Sequence, residues 1–80
     1  MAYAKTEEEW GLKAAAHLKA RMKEAGVTYT ELVKRLKKHG FKTETEASVT
    51  MKLKRAAFSA AFLLAALAAL EAEGVRLEEI

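Results

Sequence analysis

Hydrophobic residues recur at helical spacing along most of the chain. Trp10, Ala14, Leu18 and Met22 advance in steps of four, and Tyr29, Leu32, Val33 and Leu36 fall at i, i+3, i+4 and i+7, so each set lines one side of a helix. Three Thr-x-x-Glu units, Thr6/Glu9, Thr28/Glu31 and Thr43/Glu46, match the capping box that opens a helix. Gly26, Gly40 and Gly74 stand where the periodic stretches end, as expected of residues that accept the left-handed conformation after a helix. Together these signals predict a first helix over Glu7–Ala25, a second over Tyr29–His39, a third over Glu44–Arg55 and a fourth over Ala60–Glu73 capped by Ser59. Val27 before the Thr28 cap and Leu32 inside it form a hydrophobic staple.

The third and fourth helices differ from the first two. In the third, only Val49 and Leu53 make an inward pair, and the other side presents Glu44, Ala47, Ser48, Met51, Lys54 and Arg55. The fourth is apolar around its circumference from Ala60 to Leu70, the mark of a central helix or of one shared with a partner. Val75, Leu77 and Ile80 are expected to close the core, as a short fifth helix or an extended arm.

Composition supports an all-α domain: there is no proline and no aspartate, and alanine and leucine abound. Eighty residues make one domain, with residues 1–5 expected as a flexible tail. The absence of cysteine excludes disulfides and thiolate metal sites. The acidic opening MAYAKTEEEW lacks the apolar centre of a signal peptide, and the longest apolar run, 11 residues, falls short of the roughly 20 that span a bilayer. A soluble, cytoplasmic protein without membrane contact is the expectation.

Charge is unevenly distributed. Residues 13–55 hold 12 Lys/Arg against 4 Glu, a balance of +8, whereas residues 1–12 carry −2 and residues 56–80 carry −3. A basic middle suggests a surface facing a polyanion. His17 and His39 have no companions that would complete a metal site, Ser59 reads as a cap rather than a nucleophile, and no phosphate-binding loop is visible. No cofactor, small-molecule substrate or catalysis is expected.

Gly40-Phe41-Lys42-Thr43 between the second and third helices is a short glycine-containing turn of the helix-turn-helix kind. The stretch LKARMKEAGVTYTELVKRL (residues 18–36) resembles the opening of lambda-repressor-like (Cro/repressor) helix-turn-helix domains. That resemblance implies a compact four- to five-helix bundle whose third helix enters the DNA major groove, often as a dimer. More closely, Trp10, Gly26 to Leu32, Thr45-Glu46, Lys52-Leu53-x-Arg55 and Phe58 to Leu63 resemble a small bacterial family of uncharacterised domains. The chain departs from these patterns in a longer second helix, in Glu44 and Glu46 at the opening of the third, and in Ala56 where the family has glycine, a change expected to alter how the third helix ends.

Double-stranded DNA is therefore the expected partner. Lys34, Arg35, Lys38, Lys42, Lys52, Lys54 and Arg55 are the candidate phosphate contacts, joined by Lys37. Ser48 and Thr50 are candidates for hydrogen bonds to bases and Met51 for a thymine methyl, with Lys52 and Arg55 on the same reading side. The alternative is a protein-interaction module that self-associates, as a homodimer, through Phe62, Leu63, Leu67 and Leu70 of the fourth helix, or through the opposite strip of Leu64 and Ala68.

Overall fold

A computed structural model describes residues 3–72, 74–77 and 80. Among them, four helices pack around one core: α1 (Glu7–Ala25), α2 (Tyr29–Lys38), α3 (Glu46–Arg55) and α4 (Ala60–Ala69). The core draws on every helix, with Leu18 and Met22 from α1, Leu32 and Leu36 from α2, Val49 and Leu53 from α3, and Phe62, Ala66 and Leu67 from α4. Val27 of the staple belongs to the same buried cluster as Leu32. Among the described residues no helix is long and apolar enough to cross a membrane.

Each helix starts on a side-chain hydroxyl. Thr6, Thr28, Thr45 and Ser59 accept the backbone amides of Glu9, Glu31, Ser48 and Phe62 respectively, satisfying one of the four donors that a helix start leaves open. The expected boxes close only in part. Glu9 reaches past Thr6 to the amide of Lys5, and Glu31 turns instead to Arg35. The third box uses a different frame: Thr45 and Ser48 bond reciprocally, so α3 begins at Glu46 rather than Glu44, and Thr43 is not its cap. The α2–α3 connection thus spans residues 39–45, longer than the about three- to four-residue turn of a tight helix-turn-helix.

All four helices also end alike, in the paired backbone bonds of a Schellman motif. After α1, the amides of Gly26 and Val27 donate to Lys23 and Met22; after α2, those of Gly40 and Phe41 donate to Lys37 and Leu36. The motifs after α3 and α4 place Ala56 (φ 54°) and Glu71 (φ 60°) in the left-handed position where glycine is usual. Ala56 therefore keeps the turn that the absence of glycine is expected to disrupt. Gly74 plays no such part, because α4 stops at Ala69 with Leu70 as cap; Glu73, the expected last residue of this helix, lies outside the described residues.

The tail after α4 differs from expectation. Before α1, Tyr3 stacks on Trp10 with ring centroids 6.2 Å apart. Val75 and Leu77 are 37% and 54% exposed and do not close the core. Of the three apolar tail residues only Ile80 is half-buried, and its carbonyl accepts a bond from Lys13 Nζ.

Gly11, in the second turn of α1, packs closely on the α3–α4 junction, where a Cβ would collide with the Ala56 carbonyl oxygen. Gly11→Ala should therefore lower stability by about 2 kcal/mol in urea unfolding, overpacking outweighing the better helix propensity of alanine. Ala56→Gly should raise stability by about 0.5 kcal/mol by relieving the left-handed φ, the gain being reduced by the entropy that glycine adds to the unfolded chain.

Candidate nucleic-acid interface

The region from Lys34 to Arg55 contains most of the cationic and polar residues singled out by sequence, and folding divides them into two groups. Three of them are half-buried and bond within the protein. Arg35 donates to Glu31 Oε1 at 3.3 Å and to the Ala69 carbonyl at 3.0 Å. Its cation thus satisfies a carbonyl that the end of α4 leaves open, where the helix dipole is negative. Ser48 is committed to the Thr45 capping box and to Glu44 Oε1, 2.5 Å away. Lys52 pairs with Glu44 and lies over the Phe62 ring, 4.8 Å from its centroid.

Glu44 organises this cluster. The helical pattern puts it on the outer side of the third helix, yet it is 8% exposed and precedes the helix. Burial works to raise its carboxyl pKa; the Lys52 hydrogen bond, the Ser48 hydroxyl and the Lys52 charge outweigh burial and hold it below its ordinary value. The cluster is legible in one respect: Glu44, Ser48 and Lys52 are spaced by four, the spacing at which side chains stack along a helix. Glu46, the second acidic residue of this region, is exposed and accepts a bond from the Thr30 hydroxyl at 2.8 Å, which ties the start of α3 to the start of α2.

The second group faces outward. Ala47, Thr50, Met51, Lys54 and Arg55 of α3 are exposed, Met51 at 41%. On helical geometry Met51 stands opposite the buried Val49 and Leu53. Thr50 donates its hydroxyl proton to the Glu46 carbonyl, 2.8 Å away. Lys34, Lys37 and Lys38 of α2, Lys42 of the connection, and Lys54 and Arg55 are exposed, and among the described residues none of them has a carboxylate partner. Arg55 also borders a groove of about 660 Å³ between α1 and the α3–α4 junction, lined by Trp10, Gly11, Phe58 and Leu63.

The surface suggested for self-association is largely consumed by the fold. Phe62, Leu67 and Leu70 are buried within the chain and Leu63 is half-buried against the core, because α4 must cover both α1 and α2. On the opposite strip Leu64 is 66% exposed and Ala68 is exposed.

Residues 10–75 match a family described as Domain of unknown function (DUF6471), and the chain belongs to that family. No curated protein and no solved structure matches it.

Two outcomes follow from the Glu44 cluster. Lys52→Met should cost about 2 kcal/mol, less than a fully buried pair because Lys52 is partly solvated, since it leaves the buried carboxylate with Ser48 alone. Because the folded pKa of Glu44 lies below the unfolded one, the unfolded chain binds more protons between them and stability rises with pH there. The contribution is fully present above the ordinary value of 4.5 and is lost as pH falls through the lowered one. Urea titrations of the wild type and Glu44→Gln across the acid range should show a shallower acid-side loss in the variant.

Proposed function

We propose that this member of the DUF6471 family is a small DNA-binding regulator, not an enzyme, that places α3 in the major groove with α2 behind it, in the manner of a helix-turn-helix. The observation that carries the reading is the outward side of α3. Ala47, Thr50, Met51, Lys54 and Arg55 lie exposed, and the glutamate that would oppose phosphate, Glu44, is buried and paired with Lys52. Lys34, Lys37, Lys38 and Lys42, without carboxylates among the described residues, supply counterion release beside that face. Phosphate contacts position the domain and the exposed α3 side chains read the bases.

This assignment differs from the sequence-based one in its residues. Arg35, Ser48 and Lys52 support the fold, so phosphate binding rests on Lys34, Lys37, Lys38, Lys42, Lys54 and Arg55. Charge reversal at Lys52 would test folding rather than contact, since it sets a second carboxylate against Glu44.

Fluorescence anisotropy of the full chain, with a random duplex and with fragments selected from a pool, tests the reading. A log-log salt dependence steeper than about −3 is expected, with tighter binding to the selected fragments. Lys34→Glu/Lys38→Glu and Lys54→Glu/Arg55→Glu should each weaken binding more than tenfold and flatten the slope by about 1 for every phosphate that is no longer neutralised, with helical content unchanged. Absence of binding at low salt would overturn the proposal and favour a protein-interaction module using the exposed Leu64 strip of α4.

A further inference from the structure

The outward face of α3 has an unusual chemical deficit. Through its first two turns its side chains offer no free hydrogen-bond donor: Ala47 and Met51 have none, Ser48 is held by Thr45 and Glu44, and the Thr50 proton goes to the Glu46 carbonyl. The side chains exposed there are those of Ala47, Thr50 and Met51, which carry two methyl groups and a thioether. Hydrogen-bond donors return only at Lys54 and Arg55, in the last turn.

The four base pairs present different chemistry in the major groove. Guanine shows two acceptors and is read by donors, whereas thymine shows a C5 methyl and is read by apolar contact. Side chains without a free donor cannot satisfy guanine O6 and N7, and covering them would leave those acceptors unpaired at a cost. The same face matches a thymine methyl, and the Thr50 oxygen, with its proton committed, can accept from the adenine amine alongside.

Resting on the DNA-binding reading, we propose that α3 selects A·T-rich sites by apolar contact of Ala47, Thr50 and Met51 with thymine C5 methyl groups, while Lys54 and Arg55 grip flanking phosphates. The cations that flank the face supply the charge complementarity that commits it to a duplex rather than to an apolar protein surface.

The test uses duplexes enriched from a random pool by the full chain, then remade with deoxyuridine in place of thymidine, which removes the methyl and leaves pairing intact. Enrichment of A·T steps is expected, with about fourfold weaker binding for each contacted thymine replaced, the ratio that one buried methyl group corresponds to. Met51→Ala should shrink that thymidine-to-deoxyuridine ratio while leaving the salt slope unchanged, an outcome that weakened phosphate binding would not produce. Equal binding of both duplexes with a steep salt slope, or enrichment of G·C steps, would overturn thymine reading and leave DNA binding standing. Failure to bind any duplex at low salt would overturn both.

Discussion

Everything on the α3 side of the molecule depends on one buried carboxylate. A glutamate shielded from water is tolerable only when its charge is answered at close range, and Glu44 obtains that answer from Lys52 and Ser48, which follow it at intervals of about one helical turn. The arrangement fixes the phase of α3: with residues 48 and 52 drawn toward Glu44, Val49 and Leu53 point into the core and Met51 points out. It also reaches α4, because the same ammonium lies against the Phe62 ring, itself packed with Phe41 and Phe58. A residue that looks hostile to nucleic acid in the linear chain is thereby removed from the surface.

The arrangement draws on the chain's supply of cations, since Lys52 and Arg35 serve the fold. Arg35 closes the end of α4, an all-apolar helix with no basic side chain in its own last turn. The lysines of α2 and Lys42 stand without carboxylates among the described residues, and it is this unanswered charge, rather than the total, that a polyanion would meet. The net charge of +3 understates it because the acidic residues concentrate near the two ends of the chain.

Much of the fold is legible in the sequence because its signals are local. The bounds of α1 and the start of α2 follow from Thr6, Gly26 and Thr28, each acting within a few residues. The start of α3 is misleading in the linear chain because two frames compete, Thr43 with Glu46 and Thr45 with Ser48, and the choice depends on burying Glu44, a tertiary event. The end of α4 is equally misleading, because Glu71 takes the left-handed position that Gly74 is expected to provide. An apolar circumference carries no information about which side faces the core, so Phe62, Leu67 and Leu70 cannot be told from the exposed Leu64. Met51, Lys54 and the lysines of α2 are recognisable as surface residues, whereas the inward commitments of Arg35, Ser48 and Lys52 emerge only when their partners are seen in space.

The matched ends of the helices bear on how quickly the molecule forms. Each helix has a hydroxyl at its start and a left-handed turn at its end, so its limits are written into contacts a few residues apart that need no closure of long loops. Topologies dominated by such local contacts reach the native state in microseconds to milliseconds. What remains to be searched is the docking of bounded rods onto the core that all four share.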